Sequence, residues 1–318
     1  VVSGPDATAA LQWLCSNNID VAVGKVVYTL MLNAAGGIEG ELTVTRLGDS
    51  EYLLTTASLT RIRDRNWVQR NARDFDIQVD DRTEESAILG AMGPNSKLLM
   101  EKLFGGDFGI ETFAFGSSRM LEMDGVPIRA SRLSFVGECG WELMIPVKNA
   151  NAVLDRVLAV GEELGMGMAG FMTLESCRLE KGYLHWGHEI GPEENPYQAH
   201  LGFAVKEKKP GGFLGLAALK EIDASSDSKL TLFQCRAGRP LLLHDEPIYR
   251  DGKHVGRTTS GGIGFRTGKA LCFGYLDAEA MAESGENQVF EVKVAGEMFE
   301  LSILEEPPYD PKQERMRK

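Results

Sequence analysis

Apolar and polar positions change period several times along the chain, and those changes divide it. Ala7–Leu14 is amphipathic at helical spacing, with Leu11 and Leu14 facing in, after a turn at Ser3-Gly4-Pro5-Asp6. Val26–Leu32 is a β-rich apolar run that contains Tyr28, and Asn33-Ala34-Ala35-Gly36-Gly37 is a turn, since paired glycines take φ > 0 without steric cost. Leu42–Leu47 then alternates, with Leu42, Val44 and Leu47 set against Thr43, Thr45 and Arg46, so the pattern predicts a hairpin. Tyr52–Thr56, which includes Thr55, predicts a further strand, and Arg61–Asn71 a polar helix with Trp67 on its buried side.

Beyond these, Ser86–Met92 predicts a short apolar strand and Lys97–Phe104 a helix. Met120–Glu122 and Val126–Leu133 form a hairpin about Asp124-Gly125, a strong two-residue turn signal. Asn149–Leu164 carries Val153, Leu154, Val157, Leu158 and Leu164 on one side of a helix that Gly165–Gly170 breaks. Thr173–Gly182 and Leu216–Ile222 are further helical stretches. Asp223–Lys229, polar and Ser-rich, is the preferred linker. The remainder reads as short strands and turns, whose spacing implies a small β-barrel or jelly roll. The expected class is α+β in three lobes, at 1–88, 89–222 and 223–318.

Composition narrows the function. An apolar fraction of 43% with 25% charged residues describes a globular protein long enough, at 318 residues, for two or three domains. The net charge is −12 and no dense Lys/Arg block precedes the C-terminal tail, so no nucleic-acid partner is expected. An anionic small ligand needs only a local positive pocket. No apolar run approaches the roughly 20 residues of a membrane helix, and no membrane partner is expected. Five scattered cysteines without a CxxC pair argue for reduced thiols and against a zinc site. The start at Val1, inside what reads as a strand, is expected to be a cut from a longer polypeptide.

Candidate chemistry gathers at the first hairpin. Glu39 and Glu41 lie on one face of the returning strand just past the glycine turn, where a carboxylate is a proton acceptor or the partner of a developing cation. The alternative is a solvated hairpin-exit acid. His185 and His188, flanking Trp186-Gly187, lack a third ligand, so no metal is expected and the three side chains read as pocket wall. Glu138 reads as an exposed loop acid, and Arg178 and Glu180 as structural.

The run YTLMLNAAGGIEGELTV resembles the signature of the glycine-cleavage T-protein (aminomethyltransferase) family, and more closely the folate-binding half of sarcosine and dimethylglycine dehydrogenases. SGPDATAALQWLCSNNID before it and SFVGECGWEL, TLESCRLEKG, NPYQA, DGKHVGRTTSG and PPYDP after it stand in the family's order. The resemblance implies a three-lobed T-protein fold in which tetrahydrofolate enters a central funnel. It puts Glu41 at the catalytic carboxylate, usually Asp, and Glu142 on the pterin ring, which a carboxylate can hold by accepting two adjacent N–H bonds. Tyr28, Thr55, Phe135 and Tyr183 would supply stacking or hydrogen bonds, Phe135 standing where T-proteins usually have Tyr. Asn33 would polarise nearby groups.

Leu174 and Trp186 follow the dehydrogenase pattern, since T-proteins carry an Arg at the first place. The implied function is capture of an imine or formaldehyde unit from oxidised sarcosine or dimethylglycine as methylenetetrahydrofolate, with FAD confined to an upstream flavin domain or subunit. The expected compartment is the cytoplasm or the mitochondrial matrix. A T-protein of glycine cleavage, a non-catalytic regulatory subunit like that of pyruvate dehydrogenase phosphatase, and a folate-dependent demethylase are the other readings.

Overall fold

The computed structural model describes residues 1–222, 228–282 and 289–317. Its first body is a five-stranded antiparallel sheet built from β1 (Val2–Ser3), β2 (Val26–Leu32), β3 (Ile38–Gly48), β4 (Glu51–Thr56) and β5 (Gln78–Val79), in the order β2-β3-β4-β1-β5. Helices α1 (Ala7–Leu14) and α2 (Arg61–Asn71) cover one face of it. Ala7, Ala10, Leu11 and Leu14 of α1 pack with Met31, Leu42, Val44, Tyr52 and Val68, the inward positions that helical and strand periodicity single out.

The second body is the sheet β6 (Ser86–Met92), β9 (Gly140–Pro146), β8 (Val126–Ser131), β7 (Ser118–Met123), in that order. Trp141, Leu143 and Ile145 of β9 face α3 (Ser96–Phe104) and α4 (Ala150–Glu162), burying Met100, Val153 and Val157. The opposite face of β9 carries Glu142 and Met144. At the β7–β8 turn Asp124 and Gly125 both take positive φ, as the Asp-Gly pair predicts. The expected first boundary at 88 falls inside β6, so sheet pairing puts that strand wholly in the second body.

After α5 (Phe171–Lys181) and α6 (Leu216–Glu221) the chain closes a six-stranded barrel in the order β10-β13-β12-β11-β14-β15. Its strands are β10 (Lys229–Cys235), β11 (Pro247–Arg250), β12 (Lys253–Gly264), β13 (Lys269–Leu276), β14 (Phe290–Val294) and β15 (Glu297–Leu304). Most of the expected linker, 223–227, lies outside the described residues. The apolar runs of β10 and β13 have a physical cause. Phe233, Cys235, Cys272 and Leu276 fill the barrel, while Leu230, Leu232, Leu271 and Phe273 face outward into a second core. Strands covered on both sides lose their alternation.

That second core also takes Leu30, Leu32 and Ile38 from the first hairpin, with Leu179, Leu184, Ile190 and Phe213. It is what seats the β2–β3 hairpin against the barrel. The hairpin tip is held tightly there. Gly36 has φ +88°, a Cβ on Gly37 would run into the Pro192 carbonyl, and a Cβ on Gly215 would lie 2.5 Å from the Asn33 carbonyl oxygen. Among the described residues no helix is long and apolar enough to cross a membrane.

Candidate functional site

Glu41 stands on β3 with Leu30 opposite, next to the Tyr28↔Thr43 pair on the same face. Tyr28 Oη donates to Glu41 Oε1 at 2.9 Å, and the Trp186 backbone N–H also donates to this carboxylate. Burial opposes the charge and outweighs both donors, so the carboxyl is pushed up to about 7. A carboxyl poised there can take and return a proton at neutral pH. Tyr28 in turn stacks on Phe203, with ring centres 5.8 Å apart, and its phenol is raised well above its ordinary value by burial and by Glu41.

Glu39, the other acid of this face, is neutralised. Arg63 binds both its carboxylate and its carbonyl, and the Arg63 guanidinium lies 4.4 Å over the Trp186 ring. Trp186 Nε1 donates to the Ile38 carbonyl at 2.9 Å, so Trp186 is pinned to the hairpin as a wall.

Phe135 and Tyr183 stack at 6.1 Å and 21°, bringing together two of the expected binding residues. Tyr183 Oη donates to Met316 sulfur at 3.1 Å, and burial raises its phenol to about 12. His185 sets its ring edge-on to Phe135, 6.4 Å away. Glu142 is partly buried on the outer face of β9, without a hydrogen-bond or ion-pair partner among the described residues, and burial raises its carboxyl. Such an acceptor suits an aminopyrimidine that offers adjacent N–H groups. Ser134 Oγ, beside Phe135 in sequence, is likewise buried and unpartnered. Unmet polar atoms and a flat aromatic pair are the kinds of group that fit a pterin.

Asn33 and Thr55 have structural surroundings of their own, and Glu138 departs from expectation. Asn33 braces the turn, its amide bonding Glu39 and Pro192 and its carbonyl oxygen accepting from Ala35 and Gly37. This short amide satisfies backbone groups that the tight hairpin would otherwise leave open. Thr55 pairs with Thr43 and so shares the Tyr28 face of the first sheet, and it lines a cavity of about 510 Å³ together with Asp64, Ile88, Arg129 and Met144. None of the other expected site residues lines that cavity. Glu138, expected on the surface, is buried. It accepts from Tyr309 Oη and pairs with Arg266, which also binds Glu180 at 2.8 Å and lies 3.6 Å over the Tyr309 ring. The C-terminal segment docks on the β8–β9 loop there, a long-range contact without a local sequence signal.

Arg178 and Glu180 are structural, as expected. Arg178 is buried between Glu175 (2.8 Å) and Glu189 (3.0 Å), and Ser260 of the barrel also donates to Glu189. Residues that sequence reasoning passed over are Phe203 and Glu175. Phe203 lies outside the motif runs and Glu175 inside TLESCRLEKG, but only the fold brings them to Tyr28 and His185. Among the described residues no group of three or more His, Cys, Asp or Glu is placed to hold a metal ion.

Comparison with known proteins gives the family of the chain. Residues 1–209 match the GCVT N-terminal domain and residues 229–310 the glycine cleavage T-protein C-terminal barrel domain. The chain is 39% identical, over 99% of its length, to a 4-methylaminobutanoate oxidase (formaldehyde-forming) of Paenarthrobacter nicotinovorans, of which it covers 38%. It is 32% identical, over 96% of its length, to the mitochondrial dimethylglycine dehydrogenase of Rattus norvegicus, of which it covers 36%. An aminomethyltransferase of Thermotoga maritima is 27% identical over 97% of this chain and 83% of the relative. The crystal structure of aminomethyltransferase T of the Bartonella henselae glycine cleavage system shares the fold, with a TM-score of 0.83 over 98% of this chain and 83% of that one at 23% identity. The chain thus spans under two fifths of its oxidase and dehydrogenase relatives and most of the aminomethyltransferases, and it belongs to the glycine-cleavage T-protein family, whose members bind tetrahydrofolate.

Proposed function

We propose that this chain transfers a one-carbon unit, released as formaldehyde or an imine by oxidation of an N-methylated amino acid, to tetrahydrofolate as methylenetetrahydrofolate. The names of the oxidase and the dimethylglycine dehydrogenase, both above 30% identity, support the source of the carbon, since both concern N-methyl amines and one is formaldehyde-forming. Sarcosine, dimethylglycine and 4-methylaminobutanoate are the candidate amines. The flavin needed for oxidation belongs, in this reading, to a separate domain or subunit that works with this one.

The observation that carries the reading is Glu41. It is held by two donors and raised to about 7, in a wall shared with Tyr28 and Trp186. Tetrahydrofolate supplies the amine nitrogens that take the carbon. Glu142 would hold the pterin edge, and Phe135 with Tyr183 would flank the ring. Glu41 would accept a proton from the folate amine or, as a carboxylate, stabilise the cation that precedes ring closure. Tyr28 and the Trp186 amide keep that carboxylate aimed throughout.

Methylenetetrahydrofolate formation from tetrahydrofolate and formaldehyde tests the reading, followed beside calorimetric folate binding. Glu41→Gln is expected to slow formation about 10²-fold or more with little change in affinity. Glu142→Gln should weaken binding about ten- to a hundredfold, the worth of a charge-assisted hydrogen bond. Equal rates and affinities in the wild type and both variants refute it.

A further inference from the structure

The Glu41 carboxylate leans on a neighbour that the function above leaves idle. Its second donor is the Trp186 amide, which places the adjacent residue, His185, at the site. The His185 backbone N–H donates to Glu189 Oε2 at 2.8 Å, so the backbone there is fixed. Its Nδ1 lies 3.4 Å from Glu175 Oε1, and both of these buried atoms lack any other hydrogen-bond partner. The other oxygen of Glu175 is clamped by Arg178, at 2.9 Å from Nε and 2.8 Å from Nη2. Nε2 is therefore the ring atom left to exchange a proton.

Charge counting sharpens this. The groups facing His185 are Glu175 and Arg178 on α5, Glu189 and His188 on its own loop, and Glu41 on β3, while Phe135 brings no charge. Glu175 and Glu189 contribute two negative charges and Arg178 one positive. With Glu41 also ionised the cluster carries a net charge of −2, and a proton on His185 brings it to −1. Burial lowers His188, whose ring centre is 4.9 Å away, so it is the less able of the two to hold that charge. Glu175, despite burial, is held down at about 2 by His185 and Arg178 and stays a carboxylate.

We propose that Glu175 and His185 form a proton relay for Glu41, in which His185 Nε2 takes the proton that Glu41 accepts and Glu175 is the fixed countercharge. The inference rests on the one-carbon reading. Joining one carbonyl carbon to two amine nitrogens breaks two N–H bonds and the C=O bond and forms two C–N bonds, and the oxygen leaves as water carrying both protons. Glu41 takes these protons one at a time and passes each to neutral His185 Nε2, which returns it to the departing oxygen. Both are returned, so each group ends the cycle as it began and no outside acid or base is consumed. An imine carbon gives the same count, with the amine departing in place of water. Glu175 is a positioning residue here, since it fixes the tautomer and holds the imidazolium.

The test uses the 318-residue chain labelled with ¹⁵N-histidine. NMR titration of His185 without folate is expected to show its pKa falling by about one unit in Glu175→Gln and by about half a unit in Glu41→Gln. In turnover, His185→Gln is expected to slow methylenetetrahydrofolate formation at least about tenfold and to remove one limb of the pH profile, with folate affinity changed less than about threefold. Titration of His185 that neither variant moves overturns the relay. So does His185→Gln that matches the wild type in rate and pH profile. A wild type that neither binds tetrahydrofolate nor forms product overturns the function and the relay's purpose together, whereas a wild type that turns over while His185→Gln equals it overturns the relay alone.

Discussion

Replacing Glu41 by Gln should change the pH dependence of stability in a direction fixed by burial. In the unfolded chain this carboxyl ionises near its ordinary 4.5, and in the fold it ionises near 7. The folded state therefore binds the proton more tightly. That contribution is fully present below about pH 4.5 and is lost as pH rises through about 7, because ionising Glu41 in the fold then costs free energy. At about 1.36 kcal/mol per pKa unit the full shift is worth about 3 kcal/mol, of which about 2.5 kcal/mol falls between pH 5 and pH 8. Glutamine has no proton to release and keeps an oxygen for Tyr28 and the Trp186 amide.

Urea unfolding of both proteins at pH 5, 6, 7 and 8 isolates the effect, since every other titrating group is common to the pair. The wild type is expected to lose about 2.5 kcal/mol relative to Glu41→Gln over that range. A difference that stays flat with pH means that Glu41 ionises at its ordinary value, and the reasoning from its burial and two donors fails.

Tyr28→Phe removes a donor that favours the charged form of Glu41, so the acid limb of methylenetetrahydrofolate formation should move up by about one pH unit, and an unmoved limb refutes the Tyr28–Glu41 bond. Arg178→Met leaves buried Glu189 and half-buried Glu175 without their shared cation, and chemical unfolding should show a loss of about 3–5 kcal/mol. Gly37→Ala drives a methyl group into the Pro192 carbonyl, so the hairpin tip must shift. A stability loss of about 1–3 kcal/mol is expected, with weaker folate binding measured by calorimetry.

Local pattern determined much of this molecule. Val26–Leu32 and Ser86–Met92 are strands with the bounds that their apolar runs predict, and Asn33–Gly37 turns where paired glycines allow it. The short, evenly spaced strands after 228 do close a barrel. Pairs encoded within one hairpin or one helix were legible for the same reason. Tyr28 reaches Glu41 across a β2–β3 register that the turn fixes, and a two-residue turn sets β7 against β8.

The tertiary structure alone decided which acid is free and which is bound. Glu39 and Glu41 look alike in sequence, yet Arg63 neutralises one, while the other meets Tyr28 and a backbone amide from the far side of the chain. Glu138 and Glu142 divide the opposite way from their local look, because Tyr309 and Arg266 arrive from the C-terminal third to hold Glu138, and none of the described side chains pairs with Glu142. Side-chain period tells which face a residue is on. It is silent about what packs against that face, and the field and burial that set a carboxyl's charge come from residues distant in sequence.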